Sequence, residues 1–186
     1  TGALLARNAY NEEYSDRIAF MDINLPISTY TGDRTEFIGR HGNLKNPAAL
    51  RRVGLSGRMG AGYDPCGALQ VEINLKPGEQ KEVICLLGQG TDLKEVQEII
   101  TSYRDRDRVD EELDKVKKYW DKVLGVIQVR TPDLSMDMLL NRWLMYQVLS
   151  CRMWARTSFY QASGAYGFRD QLQDAMALVF SVPELT

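Results

Sequence analysis

The hydrophobic period of this chain changes near Gly90, and that change restricts the folds available to it. Before this point apolar and polar residues alternate, best seen from Leu69 to Lys76, as they do in a strand with one buried face. After it apolar residues recur at helical spacing, first in the set Val96, Ile99, Ile100 and Tyr103. The sequence therefore predicts an α+β chain in which an antiparallel β-sandwich comes first and helices follow.

Turn residues indicate how the strands between residues 17 and 90 connect. Pro77-Gly78 favours a type II turn, and Val83 to Leu87 has the composition of a strand. This turn is predicted to close an antiparallel hairpin with the preceding strand. The segment from Thr31 to Pro65 is interrupted by glycines from Gly39 to Gly62 and is predicted to form long, shaped loops.

Capping and stop residues place the first two helices. Asp92 is the predicted N-cap of the first helix. The second helix has an apolar face from Val109 to Leu124, and Gly125 is predicted to end it. The charged run from Arg104 to Glu112 is predicted to be a solvated surface.

Two further helices follow. Thr131-Pro132 is a strong helix start, with the threonine as cap and the proline at the first helical position. The last helix is predicted to run from about Arg169 toward Phe180 and to end near Val182, because Pro183 disfavours helix at the residue before it.

The composition excludes several functional classes. The 186 residues carry a net charge of −2, which is not the basic surface that nucleic-acid binders use. Three cysteines without a C-x-x-C spacing indicate reduced thiols, so we expect a cytoplasmic location for these residues and no metal site. The sequence contains neither an export signal nor a bilayer-spanning apolar run. Because it begins without methionine, we expect it to be a piece of a longer protein.

The segment from Tyr160 to Asp174 is the most informative about function, because it combines aromatic residues, glycines, an arginine and two carboxylates. Asp170 and Asp174 are four residues apart, which places both on one face of a helix. Catalytic carboxylates of a glycosidase flank the scissile bond, whereas these two approach a sugar ring from the same side. We therefore predict that they accept hydrogen bonds from adjacent sugar hydroxyls while Arg169 donates.

Aromatic rings near these carboxylates support the same interpretation, because flat apolar faces pack against sugar rings. They are Trp154, Tyr160, Tyr166 and Phe168. Gly164 and Gly167 allow the backbone to approach a ligand closely. An alternative stays open, in which Asp170 and its neighbours are the acidic first turn of a helix with Arg169 paired to one carboxylate.

Other candidate sites carry weaker signals. His41 is the only histidine, which excludes a Ser-His-Asp triad or a histidine-rich metal site within the chain. The glycines from Gly57 to Gly62 do not indicate a phosphate-binding loop, because Tyr63-Asp-Pro65 follows where a helix would have to begin. The loop from Gly39 to Asn46 borders a substrate groove or satisfies its own backbone, and the sequence leaves both open.

With these residues in view, the chain resembles glycoside hydrolase family 94, the inverting phosphorylases, over nearly its whole length. The segment from Tyr160-Gln161 through Phe168 to Asp174 is similar to the first signature of the family's barrel. Segments of the sandwich are similar to the branch that contains cyclic β-1,2-glucan synthase and 1,2-β-oligoglucan phosphorylase, which favours β-1,2-glucan over cellobiose. These segments are Thr31 to Arg34, Phe37 to Arg40, Gly42 to Leu44, Pro47 to Leu50 and Gly60 to Cys66.

The resemblance implies an architecture of β-sandwich, helical linker and (α/α)6 barrel. Residues 1–90 would be part of the sandwich, residues 91–130 the helical linker, and residues 131–186 the start of a truncated barrel. Exposed helix faces such as those of Leu139 and Trp143 lead us to expect a homo-oligomer. Some relatives are membrane proteins and others are not, so membrane association of the parent protein stays open.

The resemblance also implies a reaction, the phosphorolysis of β-1,2-linked glucan to α-glucose 1-phosphate, with inorganic phosphate as co-substrate and no cofactor or metal. The glucosyl unit in subsite −1 would be bound by the residues of the signature segment. These are Arg169, Asp170, Asp174, Tyr160, Gln161, Tyr166 and Phe168. The family's general acid is an aspartate in a Trp-Asn-Asp sequence that does not occur here, so we expect it downstream of Thr186 and expect this chain alone to be inactive.

Two alternatives belong to other functional classes. The sandwich and the missing general acid also fit a noncatalytic carbohydrate-binding or interaction module. An intact glycosidase with Asp170 and Asp174 as acid and nucleophile is disfavoured, because both lie on one helix face.

Overall fold

A computed structural model describes residues 2–10, 12, 14–154 and 167–186. The chain divides into two compact units, Thr1–Asp110 and Glu111–Thr186. Among the described residues, the first unit contains the strands and the second contains most of the helical residues. The model therefore confirms the predicted order of antiparallel sheets followed by helices.

Two antiparallel sheets form the first unit. One has the strand order β1-β2-β5, with β1 at Leu4–Ala6, β2 at Ile18–Ile23 and β5 at Cys85–Gly90. The other pairs β3, Ile27–Asp33, with β4, Pro65–Val71. In the first sheet Ile18 lies opposite Gly90 and Ile23 opposite Cys85.

The predicted hairpin between β4 and β5 is wrong, because each of these strands pairs in a different sheet. The turn itself forms, since the Glu79 amide donates to the Lys76 carbonyl at 2.9 Å and Gly78 has φ 82°. Ile73 and Leu75 lie beyond the end of β4 and are 43% and 55% exposed. Alternation in a sequence indicates which side chains share a face, but it does not identify the partner strand.

The core of the first unit lies where α2, Leu93–Tyr103, packs against β2 and β5. Phe20, Val96 and Ile100 are fully buried there. Asp92 caps α2 as predicted, because its side chain accepts from the Glu95 amide at 2.8 Å. A β-carbon at Gly88 would come within 2.6 Å of the Phe20 ring, so a glycine is needed at this position for the ring to pack across β5.

The segment from Thr31 to Pro65 contains more regular structure than predicted. Helix α1, Arg34–Ile38, begins directly after β3, and a short 3₁₀ helix follows at Ala48–Arg51. The Asp33 carboxylate caps α1 by accepting from the amides of Thr35 and Glu36 at 2.9 and 3.3 Å. This helix was not predicted, because five residues are too few to show a helical period and glycines surround them.

The charged run from Arg104 to Glu112 is not entirely a solvated surface. Nε and Nη2 of Arg104 donate to the two carboxylate oxygens of Asp22 at 2.9 and 2.7 Å, and the Asp22 side chain is fully buried. This bidentate pair joins β2 to the end of α2. A buried aspartate needs such a partner, and the partner lies 82 residues away, too far for local sequence reasoning to find.

The second unit is built on α3, Arg106–Leu124, and on a continuous helical stretch from Leu134 to Trp154. In that stretch α4, Leu134–Met138, and α5, Leu144–Gln147, are each followed by a π-helical segment. These segments are Leu139–Trp143 and Val148–Trp154. Helix α6, Phe168–Met176, completes the unit. The buried side chains of its core are Val123, Leu124, Leu149 and Leu178.

Helix boundaries in the second unit confirm one prediction and correct two. α3 ends at Leu124, directly before Gly125, as predicted. The cap of α4 is Asp133 and not Thr131, because the Asp133 carboxylate accepts from the Ser135 amide while the Thr131 hydroxyl bonds to Asp137. α6 ends at Met176, earlier than the predicted end near Val182, and turns continue the chain to Ser181.

Candidate functional site

The described part of the predicted sugar site lies on α6. Phe168 is its first residue and is 81% exposed, so its ring is available to a ligand. Arg169, Asp170 and Asp174 follow on the same helix. Tyr160, Gln161 and Tyr166, which the sequence also assigned to the site, lie outside the described residues, as does Gly164.

The start of α6 brings Arg169 and Asp170 together. Nη2 of Arg169 lies 3.2 Å from Oδ1 of Asp170, and the Arg169 side chain is 83% exposed. The Asp170 carboxylate folds back over Gly167, where an added β-carbon would come within 2.9 Å of Oδ2. This is the acidic first turn with a paired arginine that the sequence left open, and it leaves both charged groups accessible to solvent.

Asp174 has a different partner. Nε of Arg152, in the π-helical segment Val148–Trp154, donates to both Oδ1 and Oδ2 of Asp174 at 3.1 Å. The Asp174 side chain is 13% exposed and that of Arg152 is 39% exposed. The two predicted carboxylates therefore share a helix, but one carboxylate is paired locally and the other across two helices.

Arg152 was not predicted to be part of the site, although its sequence context is unusual. Arg152 is the only charged residue between Trp143 and Trp154, in a stretch that is otherwise apolar or uncharged. A lone cation in such a stretch lies partly buried and needs an anionic partner. Asp174, four residues after Asp170, was available to be that partner.

Trp154 belongs to an aromatic cluster of the second unit. Its ring stacks on Tyr119 with centroids 6.3 Å apart and meets Trp120 edge-on at 5.5 Å. Trp154 is 49% exposed. Its ring is therefore held in place by other aromatic rings while keeping about half of its surface accessible.

A second polar site occupies the first unit, around the side chain of Glu36. This carboxylate accepts from the hydroxyls of Thr31 and Ser56 at 2.7 and 2.6 Å, and from the Ser56 amide at 2.9 Å. It also pairs with Nη1 of Arg52 at 2.8 Å. Burial alone would raise the pKa of Glu36, but the hydrogen bonds from Ser56 and Thr31 and the charge of Arg52 outweigh burial and lower it.

The loop from Gly39 to Asn46 fits both interpretations that the sequence left open. Asn43 Oδ1 accepts from the amides of Lys45 and Asn46 at 2.9 and 3.2 Å, so the loop satisfies part of its own backbone. It also borders an open pocket of about 440 Å³. The lining residues are Arg34, Thr35, Ile38, Gly39, Arg40, Gly42 and Asp64.

Residues of the Thr31–Arg34 segment and of the Gly60–Cys66 segment meet at this pocket. Nη2 and Nε of Arg34 donate to Oδ2 of Asp64 at 2.6 and 2.8 Å, and the Arg34 amide donates to the Asp64 carbonyl at 2.8 Å. These bonds connect the start of α1 to the residue that precedes β4.

Within residues 2–10, 12, 14–154 and 167–186, no group of three or more histidine, cysteine or acidic side chains is arranged to hold a metal ion. None of the helices in that same part of the chain has the length and apolar composition needed to cross a bilayer. The three cysteines, Cys66, Cys85 and Cys151, are free, and burial raises the pKa of the Cys66 thiol.

Comparison with known protein families gives two matches that together span most of the chain. The model described as the glycosyl hydrolase 94 supersandwich domain matches residues 1–106. The model described as the catalytic domain of the glycosyl hydrolase 94 superfamily matches residues 119–186, which include Arg152 and all of α6.

Individual relatives agree with these matches. The chain is 38% identical over 183 residues to the cyclic beta-(1,2)-glucan synthase NdvB of Rhizobium meliloti, covering 98% of this chain and 6% of that protein. It is 30% identical over 180 residues to the N,N'-diacetylchitobiose phosphorylase of Vibrio furnissii, covering 95% of this chain and 22% of that protein. It is 30% identical over 173 residues to the solabiose phosphorylase of Paenibacillus borealis, covering 93% of this chain and 22% of that protein. The chain thus spans less than a quarter of the length of each of these relatives.

Proposed function

Because the chain belongs to the glycosyl hydrolase 94 family, we propose that it is part of an enzyme that transfers a glucosyl unit between a β-linked glucan and inorganic phosphate. The observation that carries this proposal is the start of α6, where Arg169, Asp170 and Asp174 lie on one short helix inside the segment matched by the catalytic-domain model. Phosphorylases among the relatives support phosphate as the co-substrate.

We propose that these three residues bind the nonreducing glucosyl unit and do not transfer protons. Ionised carboxylates accept hydrogen bonds from adjacent sugar hydroxyls, and a guanidinium donates to them, so each such bond contributes roughly 1.5 to 3 kcal/mol. Both carboxylates approach a ring from one side, which suits binding its edge and does not suit an acid and nucleophile pair. Phe168, with Tyr160, Gln161 and Tyr166, completes the proposed binding set.

The proposed reaction is an in-line displacement. A phosphate oxygen attacks the anomeric carbon from the face opposite the glycosidic bond, and the departing oxygen takes a proton from a carboxylic acid. The products are α-glucose 1-phosphate and a glucan shortened by one unit. Arg169, Asp170 and Asp174 contribute by fixing the glucosyl unit so that attack occurs in line.

We propose β-1,2-linked glucan as the substrate. The relative with 38% identity is a synthase of cyclic β-1,2-glucan, whereas the two phosphorylases compared above are 30% identical. The resemblance of the sandwich segments Thr31 to Arg34 and Gly60 to Cys66 to the β-1,2-glucan branch supports the same choice.

Further properties of the whole protein are part of the same proposal. Residues 1–90 serve as sandwich, 91–130 as linker and 131–186 as the beginning of the barrel. The general acid lies outside these 186 residues, so the chain alone does not turn over substrate. We also propose a cytoplasmic position for these residues and a homo-oligomeric assembly.

The test is release of α-glucose 1-phosphate from β-1,2-glucooligosaccharides and from cellobiose in the presence of phosphate, with this chain and with the longest natural chain that contains it. Activity of the longer chain alone, on the β-1,2 substrate, is expected. Asp174→Asn in that chain should lower kcat/KM roughly 100-fold, the equivalent of one to two charged hydrogen bonds. A near-normal rate would contradict the site. Glucan binding without turnover by the longer chain would favour a noncatalytic carbohydrate-binding module.

A further inference from the structure

We infer that Arg152 is a positioning residue that fixes the Asp174 carboxylate in the proposed sugar site, an inference that rests on the proposed function. Its Nε lies 3.1 Å from both Oδ1 and Oδ2 of Asp174. Equal distances to the two oxygens mean that the guanidinium faces the middle of the carboxylate. This arrangement restricts the position of the carboxylate group.

The pair is anchored by the core of the second unit. Leu149 and Leu178 are both 0% exposed and belong to one cluster. Arg152 follows Leu149 by three residues, and Asp174 precedes Leu178 by four, so each charged residue lies about one turn from a buried anchor. Packing of the two leucines therefore sets the distance between the π-helical segment and α6 at the point where the charged groups meet.

Exposure distinguishes this pair from a pair that only stabilises the fold. The Asp174 side chain is 13% exposed, so its carboxylate is largely desolvated yet still reachable. An ionised carboxylate offers about four acceptor positions, and the N–H of Arg152 Nε is directed between its two oxygens. The Arg152 side chain beside it orients the acceptor before the sugar arrives, which reduces the ordering cost of binding.

The neighbouring carboxylate, Asp170, has no such partner on another helix among the described residues. Asp170 pairs with Arg169, whose side chain is 83% exposed, so the partner is a surface arginine on the same helix. Asp174 instead has a partner on another helix, held by the core. Of the two carboxylates, Asp174 is therefore the one held in the better-defined orientation for accepting hydrogen bonds from sugar hydroxyls.

A double-mutant cycle tests the inference in the longest natural chain that contains these residues. The variants are Arg152→Met, Asp174→Asn and the two combined, and the readout is kcat and KM for phosphorolysis of β-1,2-glucooligosaccharides. Arg152→Met is expected to lower kcat/KM roughly 10- to 100-fold in the natural background. In the Asp174→Asn background the same change should cost less than about 3-fold, because Arg152 acts through that carboxylate.

Two further variants keep the result interpretable. Arg152→Lys retains the positive charge, and its kcat/KM should lie within about 10-fold of that of the natural enzyme. This comparison does not depend on whether Arg152→Met folds well. Arg142→Met is the matched control, since Arg142 also pairs with an aspartate of the second unit, Asp121, at 2.9 Å but outside the site. It should change kcat/KM by less than about 2-fold, as an exposed pair contributes little.

The possible results distinguish failure of the Arg152 positioning role from failure of the proposed sugar site. If Asp174→Asn is crippling but Arg152→Met costs the same in both backgrounds, the sugar site stands and the positioning role is overturned. If Asp174→Asn is near normal, the proposed sugar site fails and the inference fails with it. If Arg152→Lys is as inactive as Arg152→Met, a charge-based positioning role is also overturned.

Discussion

The two units of this protein hold their carboxylates in opposite ways. In the first unit the Glu36 side chain is 1% exposed and accepts four bonds, from Thr31, from the hydroxyl and amide of Ser56, and from Arg52. In the second unit the Asp170 and Asp174 side chains are 31% and 13% exposed, and each is bound by an arginine.

This difference separates structural carboxylates from binding ones. A carboxylate with four donors around it has no acceptor position left for a ligand, and its removal leaves buried donors without partners. A more exposed carboxylate that is paired with an exposed arginine on its own helix, as Asp170 is, leaves few buried donors behind, so its removal costs the fold less. Stability and activity should therefore respond to different variants, which makes the comparison testable.

The largest effect on stability is expected for Glu36→Ala. This change leaves the Thr31 and Ser56 hydroxyls and the Ser56 amide unpaired and removes the partner of Arg52, so the loop should lose about 3 kcal/mol of stability. Amide hydrogen exchange of peptides from residues 31–58 measures this loss as a fall in opening free energy. All three tryptophans lie in the second unit, so their fluorescence would not report it directly.

Glu72→Ala provides the control for that measurement. Glu72 is an exposed glutamate of the same unit, and its replacement should change the opening free energy by less than about 0.5 kcal/mol. Equal exchange in Glu36→Ala and Glu72→Ala would remove the distinction between buried and partly exposed carboxylates. Phosphorolysis at saturating substrate should be retained in Glu36→Ala where the protein remains folded.

A smaller effect on stability is expected for Asp170→Asn. Asp170 lies in the first turn of α6, where a negative charge is favoured by the helix dipole, so its neutralisation should cost about 0.5 to 1 kcal/mol. Exchange of amides in residues 167–176 measures the change, with Gln173→Ala on the same helix as control. A loss as large as that of Glu36→Ala would show that Asp170 is a structural carboxylate like Glu36.

The placement of the two carboxylates on one helix was predicted more accurately than the contacts between helices. Asp170 and Asp174 share a helix as their spacing required, and the family resemblance was confirmed over both units. Arg152 was missed because its pairing with Asp174 spans 22 residues and depends on how two helices pack. Spacing within one helix is local information, whereas contact between helices is set by the core around Leu149.

Strand pairing shows the same limit in the first unit. The turn at Gly78 and the cap at Asp92 were predicted because each depends on a few consecutive residues. The partner of β4 was mispredicted because β3 lies far earlier in the chain, and the alternating pattern fits any partner equally well. Helix α1 was missed because five residues are too few to establish a helical period.

The smallest expected effect is a difference in pH dependence between natural protein and Glu36→Gln. The pKa of Glu36 in the folded protein lies below its usual value of 4.5, because its hydrogen bonds and Arg52 outweigh burial. The charged form therefore stabilises the fold above pH 4.5, and this contribution is lost as the pH falls below 4.5 through the folded pKa. Urea midpoints followed by circular dichroism between about pH 6 and about pH 3.5 should fall more steeply for the natural protein than for Glu36→Gln. Parallel curves would mean that Glu36 contributes no pH-dependent stability. The ionised Glu36 carboxylate and its four hydrogen-bond donors would then not be what stabilises this part of the first unit.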